Sequence, residues 1–170
     1  RYYLPYLAHA TMEPMNATAS ITGERCELWV PTQNQTGSQA LALKVSGLSA
    51  DKVVVNTTYL GGGFGRRFEM DFVEEALLVA KAAGVPVKVV WTREEDLQYD
   101  YYRPGNAALL EGGLDAEGRL VAWRQKVAVP PIFERVFPGM IKDGIDLAAI
   151  DGLKELEYEI PNVAIEYVRV

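Results

Sequence analysis

The stretch "TTYLGGGFGRRFEMDFVEEALLVAKAAG", residues 57–84, places four glycines around one phenylalanine, between a strand pattern and a helix pattern. Glycine lets the backbone adopt positive φ and come close to another group. β-branched residues before the glycines predict a strand from Val53 to Tyr59. After them, apolar residues at helical spacing predict an amphipathic helix that ends at Gly84. This apolar stripe consists of Phe72, Val73, Ala76, Leu77 and Ala80.

The segment "VPVKVVWT", residues 85–92, predicts a buried strand after this helix. A unit of strand, glycine loop, helix and strand is expected to pack as a right-handed crossover whose two strands are parallel. Upstream, alternating apolar residues predict a hairpin that turns at Gly23 and Glu24, followed by a helix from Ser38 to Ser46.

Downstream, two apolar runs flank a turn from Asp115 to Gly118 and predict a second hairpin. A short helix is expected from Asp146 to Leu153, and the final "VAIEYVRV" is typical of a strand. Between the units, the segment "REEDLQYDYYRPG", residues 93–105, predicts an irregular functional loop because it contains Pro104 and Gly105. The fold class is therefore α+β, a mixed sheet with hairpins and a strand, glycine loop, helix, strand unit.

The composition restricts the classes of partner. The chain has 170 residues, 49% of them hydrophobic, and a net charge of -6, so nucleic acid and anionic lipid are not expected partners. With Cys26 and His9 as the single cysteine and histidine, neither an internal disulfide nor a protein-ligated metal is expected. No apolar run is long enough to span a membrane. Because the chain begins without methionine, we expect a soluble portion of a longer protein, cytoplasmic or periplasmic.

The glycine loop alone leaves several interpretations open. Glycines before a helix favour an anion, yet "GGGFGRRF" fits neither of the standard nucleotide-binding spacings. A purely structural turn, with Phe64 buried beneath the loop, is a second interpretation. A third has Phe64 presented to a ligand.

Five motifs in one order carry a more specific signal. They are "HATMEP" at 9–14, "PTQN" at 31–34, "GGGFGRR" at 61–67, "PVKVVWTREEDL" at 86–97 and "YRPG" at 102–105. Together they resemble the molybdopterin-binding large subunit of the xanthine dehydrogenase and aldehyde oxidase family, and most of all its isoquinoline 1-oxidoreductase β-subunit type. The resemblance implies that residues 1–170 form part of a molybdenum cofactor-binding domain.

The resemblance further implies a molybdenum-dependent oxidoreductase that oxidises an N-heteroaromatic compound or an aldehyde with oxygen from water. Its cofactor is expected to be a molybdopterin, in the family sometimes the cytosine dinucleotide form. Its partners are expected to be an iron–sulfur subunit and the remainder of the large subunit. The family's general-base glutamate belongs to a C-terminal part not found here, so no catalytic residue is assigned and the chain alone is expected to be inactive.

The resemblance also assigns site residues by position. Gln33 of "PTQN" matches the glutamine that hydrogen-bonds a molybdenum oxo group, and the glycine loop matches the segment beside the metal centre. Phe68 replaces the acid of the family's usual "GGGFGGKE", which disfavours a purine substrate. The expected cofactor-binding residues are Gln33, Gly62, Gly63, Phe64 and Gly65, and the substrate-pocket candidates are Phe68 and Arg103.

Other polar residues have competing interpretations. His9 and Glu13 are expected to be structural. Arg66 and Arg67 are expected either to meet a phosphate of the cofactor or a carboxylate, or to have a solvated or salt-bridged role. As an alternative for the whole chain, the sequence also allows a non-catalytic α+β assembly module with a structural glycine turn.

Overall fold

The structure, a computed structural model, describes residues 1–134 and 136–170. The strands are β1 (Tyr2–Leu4), β2 (Asn16–Ile21), β3 (Cys26–Val30), β4 (Val53–Thr57), β5 (Val87–Val90), β6 (Asn106–Leu114), β7 (Leu120–Val129), β8 (Ile141–Lys142), β9 (Ile145–Asp146) and β10 (Asn162–Arg169). The α-helices are α1 (Gln35–Ser46), α2 (Asp71–Ala83) and α3 (Arg93–Gln98), and short 3-10 turns cover Ala50–Lys52, Arg66–Phe68 and Pro138–Met140. The α+β class expected from the sequence is confirmed.

The chain divides into two compact units. One consists of Ala8–Tyr101 and contains the glycine loop, and the other combines Arg1–Leu7 with Tyr102–Val170.

The first unit is a mixed sheet with two helices packed on it. Its strand order is β4-β3-β2-β5, and the predicted hairpin forms the antiparallel pair β2 and β3. Small and branched side chains on these strands alternate inward, so the sheet buries one face under α2. The core of this unit includes Met15, Ala17, Ala19, Leu28, Val30, Phe72, Val73, Ala76, Leu77 and Ala80.

Both long helices end at a glycine. α1 stops at Gly47 and α2 at Gly84, and each glycine has the left-handed conformation that closes a helix. α1 begins at Gln35, three residues before the predicted start, because the Asn34 side chain accepts the N–H of Gly37 and caps the helix.

The predicted crossover is only partly right. β4 and β5 run in the same direction, but β3 and β2 lie between them, so they form opposite edges of the sheet. β5 is therefore not a buried strand: Val87 and Val89 pack on the core, while Lys88 and Val90 are exposed.

Two further predictions are wrong. Residues 93–98 form helix α3, because Thr92 and Glu95 make a reciprocal capping box at its start. Residues 147–153 form consecutive turns instead of a helix, since the Asp146 carboxylate accepts the N–H groups of Ile132, Phe133 and Ala148 and fixes the chain there.

The second unit contains a sheet with the order β1-β6-β7-β10. The predicted hairpin of β6 and β7 is confirmed, and its turn is held by the Asp115 carboxylate, which accepts the N–H groups of Glu117 and Arg119. β10 pairs in parallel with β7, and a small core forms around Val127, Val129 and Ile150. In the described part of the chain, no helix is long and apolar enough to cross a membrane.

Candidate functional site

The glycine loop, residues 61–65, connects β4 to the 3-10 turn before α2. Gly62 and Gly65 have φ values of 93° and 98°, and Phe64 also lies in the left-handed region with a φ of 55°. Phe64 is 66% exposed, so its ring is presented at the surface and is not buried beneath the loop. A non-glycine residue at positive φ is strained, and such strain is frequent at functional sites.

Gln33 lies directly against this loop. Its Oε1 accepts the N–H of Gly65 at 3.1 Å, and its own N–H donates to the carbonyl of Arg67 at 3.0 Å. A Cβ on Gly63 would lie 2.4 Å from the Gln33 Oε1, so the amide can keep this position only while residue 63 is a glycine. Gln33 is exposed, and its Nε2 has no acceptor among the described residues. The expected neighbourhood of Gln33 and the glycine loop is thus present.

Three successive carbonyls of the loop are held by protein donors. The Gly61 carbonyl accepts the N–H of Glu13 at 3.2 Å, and the Gly63 carbonyl accepts the N–H of Arg66 at 2.9 Å. The Gly62 carbonyl accepts Nε of Arg67 at 2.8 Å.

The N–H groups of the same three peptide units are those of Gly62, Gly63 and Phe64. In a trans peptide the N–H points away from the carbonyl, so these three N–H groups are turned away from the donors that hold the carbonyls. Within residues 1–134 and 136–170 they have no acceptor. The loop therefore contains three unpaired N–H groups next to the Gln33 amide, in residues of which Phe64 is exposed, Gly62 is partly exposed and Gly63 is buried.

Arg67 lies beneath the loop and is fully buried, at 0% exposure. Its Nη2 donates to the backbone carbonyl of Glu13 at 2.6 Å and to Oε2 of the same residue at 2.9 Å. Glu13 Oε2 also accepts the N–H of Gly61 at 2.9 Å. The "HATMEP" segment and the glycine loop are thus joined by an ion pair between a buried guanidinium and a partly exposed carboxylate, and by the hydrogen bonds of that pair.

Arg66 anchors the other side of the loop. It is 1% exposed, donates to both carboxylate oxygens of Asp71 at 3.0 and 2.7 Å, and stacks between the rings of Trp91 and Tyr101. Its Nε lies 2.9 Å from Asp100 Oδ1, an ion-pair distance at which the N–H is not aligned for a hydrogen bond.

Asp100 links this arginine to His9. It accepts the backbone N–H of His9 and lies 3.0 Å from the His9 Nδ1. Burial raises the pKa of the Asp100 carboxyl, but the hydrogen bonds from His9 and the charge of Arg66 outweigh burial, so the pKa lies below its usual value.

The pKa of Glu13 is lowered in a similar way. Burial raises it, and the Gly61 N–H, the Asn16 amide and the Arg67 guanidinium together lower it by more. Glu13 and Asp100 are therefore ionised at neutral pH and hold the two arginines as cations.

The two alternatives for Arg66 and Arg67 now differ in support. Both guanidinium groups are buried and paired with carboxylates of the protein, which matches the salt-bridged interpretation.

The two substrate-pocket candidates lie in different units. Phe68 ends the 3-10 turn and is half-buried, and its N–H donates to the Gly65 carbonyl. Arg103 belongs to the second unit, where it is exposed and its backbone pairs with Leu7.

The sequence did not reveal the residues that anchor the loop. Glu13 and Arg67 are 54 positions apart, and His9 and Asp100 are 91 apart, so a single sequence has no local signal that pairs them. The sequence indicates only that two arginines directly after a glycine loop need carboxylate partners if they are buried, and it does not indicate which carboxylates.

The donor set fits a neutral or anionic group that presents several acceptor atoms. Backbone N–H groups and a carboxamide donate hydrogen bonds without adding charge, and glycines allow the ligand to approach the backbone closely. The exposed ring of Phe64 adds an apolar surface beside these donors. A molybdenum–pterin centre, with oxo and pterin acceptors and no need of protein metal ligands, matches this chemistry.

Comparison with known proteins gives a consistent family. The sequence model described as the molybdopterin cofactor-binding domain matches residues 1–131. The chain is 36% identical over 131 residues to isoquinoline 1-oxidoreductase subunit beta of Brevundimonas diminuta. The aligned region covers 76% of this chain and 17% of that protein. It is 32% identical over 146 residues to xanthine dehydrogenase of Emericella nidulans, covering 84% of this chain and 10% of that protein.

Solved structures share the fold. Aldehyde oxidoreductase from Desulfovibrio gigas superposes with a TM-score of 0.73 at 22% identity, over 99% of this chain and 18% of that chain. Quinoline 2-oxidoreductase from Pseudomonas putida 86 gives a TM-score of 0.67 at 21% identity, over 99% of this chain and 22% of that chain. The chain therefore spans less than a quarter of the length of each of these proteins.

Proposed function

The chain belongs to the molybdopterin cofactor-binding domain family, and from this membership we propose that Gln33 and the glycine loop hold the molybdenum end of the cofactor. The observation that carries the proposal is the row of three unpaired N–H groups, from Gly62 to Phe64, beside the exposed Gln33 amide. Such fixed donors stabilise charge on a bound oxygen without having to reorganise.

Each residue has a distinct task in this proposal. The Nε2–H group of Gln33 would donate to an oxygen of the bound cofactor, while its Oε1 accepts the Gly65 N–H, which fixes the orientation of the amide. The N–H groups of Gly63 and Phe64 donate to further acceptor atoms, and the Phe64 ring covers an apolar side. When bound, the cofactor supplies the redox chemistry by which oxygen from water is added to a carbon of the substrate.

For the whole protein we propose the oxidation of an N-heteroaromatic compound or an aldehyde. The names of relatives support this class: isoquinoline 1-oxidoreductase and aldehyde oxidoreductase are among the proteins that the chain resembles. Phe68 is proposed to line the substrate pocket. Phe68 offers an apolar edge where the resemblance leads us to expect an acid, which favours a neutral or apolar N-heterocycle or an aldehyde over a purine.

The rest of the machinery is proposed to lie outside these residues. The matched relatives are much longer, so we propose that residues 1–170 are one portion of a larger subunit whose remainder supplies the general base. Electrons are proposed to leave through an iron–sulfur subunit. Metal analysis of the purified complex checks this, since iron should accompany molybdenum.

The cytosine dinucleotide form of the cofactor is part of the proposal and rests on the resemblance to the isoquinoline-type branch. Acid hydrolysis of the purified protein should release cytidine monophosphate in a ratio of about one per molybdenum, since each cofactor carries one nucleotide. A different nucleotide, or none, contradicts this form. The alternative of a non-catalytic assembly module is not favoured, because the chain belongs to a cofactor-binding family.

The test of the proposed site compares Gln33→Ala with Gln39→Ala in the full-length subunit. Gln39 is an exposed glutamine on α1 and serves as the matched control. Loss of one preorganised donor should lower turnover about 100-fold, with an unchanged melting temperature. Equal turnover and equal molybdenum content in both variants would contradict the assignment of Gln33.

A further inference from the structure

Arg67 is the side chain that holds the central carbonyl of the glycine loop. Of the three loop carbonyls held by the protein, those of Gly61 and Gly63 accept backbone N–H groups, whereas that of Gly62 accepts the Arg67 Nε. Because the two ends of a peptide unit point in opposite directions, this bond turns the Gly63 N–H away from Arg67. The orientation of the central donor thus depends on a guanidinium group.

Apart from the hydrogen bond from Arg67, few contacts fix the orientation of the peptide between Gly62 and Gly63. Both flanking residues are glycines, and Gly62 already has a φ of 93°, so rotation of this peptide unit meets no Cβ of its own residues. Without the donor beneath it, the unit can turn its N–H inward and its carbonyl outward. An outward carbonyl would repel the acceptor atoms that an outward N–H attracts.

We propose that Arg67 is a positioning residue that locks this peptide in the orientation that binds the cofactor, with Glu13 holding Arg67 in place. The inference rests on the proposed function of the loop. Glu13 can hold Arg67 because its backbone carbonyl and its Oε2 both accept hydrogen bonds from the Arg67 Nη2. The same Oε2 also accepts the Gly61 N–H.

Stability alone is a weak explanation for this pair. Burial of the Arg67 guanidinium is costly, and an ion pair with Glu13, whose side chain is 36% exposed, offsets only part of that cost. Burial lowers the pKa of Arg67, and the charge of Glu13 opposes that effect without cancelling it. A role in orientation explains why a hydrogen-bonding cation lies beneath the loop.

The test uses the full-length subunit with Arg67→Met, Glu13→Gln and the double variant. Molybdenum per protein after extended dialysis and the melting temperature are measured for each. In Arg67→Met the melting temperature should fall, because Glu13 is left unpaired, and cofactor retention should weaken about tenfold for the lost charged hydrogen bond. The double variant should recover the melting temperature, since no charge is left unpaired, but not the molybdenum.

The double variant decides between orientation and simple charge pairing. If it regains wild-type molybdenum content, Arg67 only balances Glu13 and the proposal is overturned. Arg67→Lys should retain an intermediate content, because one ammonium can serve the Gly62 carbonyl or Glu13 but lacks the guanidinium fork. If Arg67→Met does not fold, the double variant and Arg67→Lys still decide the outcome.

Arg25 and Glu27 supply the matched control, an exposed ion pair in the same unit. The double substitution Arg25→Met and Glu27→Gln should change neither the molybdenum content nor the melting temperature. Wild-type protein without molybdenum would overturn the proposed function itself. Wild-type protein with molybdenum, together with an equally loaded Arg67→Met, would overturn only the positioning role.

Discussion

A side chain at position 63 would occupy the space that the Gln33 amide fills, and this is the shortest distance from an added Cβ to another atom in the glycine loop. The position of a Cβ on Gly63 is 2.4 Å from the Gln33 Oε1 and 2.7 Å from its Cδ. Because these atoms belong to the end of a flexible side chain, an added methyl group would displace the Gln33 amide and leave the backbone in place.

Gly63→Ala should therefore reproduce the loss caused by Gln33→Ala. Each variant removes the same amide from the loop, so the double variant should lose little more activity than either single one. Turnover by the full-length enzyme measures this, with Gly23→Ala as control, since nothing lies within 4 Å of a Cβ there. Multiplicative losses would show that the two residues act separately.

Asp100 gives a prediction for pH dependence. Its folded pKa lies below the ordinary value of 3.8, because His9 donates to it and Arg66 lies beside it. The ionised carboxylate thus adds stability above pH 3.8, and this contribution is lost as the pH falls through the folded pKa.

Asp100→Asn should cost about 2 kcal/mol of unfolding free energy at pH 7, the usual range for a charged hydrogen bond. The gap to wild type should shrink as the pH is lowered from 5 to 3. Urea unfolding at each pH measures the gap, and Glu24→Gln, at an exposed carboxyl in the same unit, is the control. A gap that stays constant with pH would contradict this account of Asp100.

At the scale of elements, the sequence predicted what depends on local pattern. The hairpin of β2 and β3 and the buried stripe of α2 follow from alternation and helical spacing, which one segment contains by itself. β5 was assigned to the wrong place because strand order depends on pairing with distant segments. α3 was not predicted, because Pro104 and Gly105 indicate an irregular segment, although Thr92 and Glu95 form a capping box at the start of this helix.

α1 offers a prediction at this scale, because its first turn begins directly after Gln33. Asn34→Ala removes the side chain that caps the Gly37 N–H and should lower the unfolding free energy by about 1 kcal/mol. Asn34→Asp keeps the cap and adds a charge that favours the helix N-terminus, where α1 has no acidic residue. Urea unfolding should rank Asp at or above Asn, and both above Ala; equal values for Asn and Ala would remove the capping role.

At the scale of the molecule, residues 8–101 hold the proposed site together with their own core. A unit with one sheet, two packed helices and an extensive buried core is of a size that often folds alone. The separated segment should therefore unfold in one cooperative thermal transition followed by circular dichroism. Phe72→Ala, which removes a fully buried ring, should lower its stability by about 3–4 kcal/mol. A gradual transition without a near-ultraviolet signal would show that the segment does not fold by itself.

The proposed cofactor site can be located by the anomalous scattering of molybdenum in crystals of the full-length protein. We expect a molybdenum peak beside the Gln33 amide, with the N–H groups of Gly62, Gly63 and Phe64 directed toward the cofactor. A molybdenum peak remote from Gln33, with those N–H groups bonded to other parts of the protein, would contradict it.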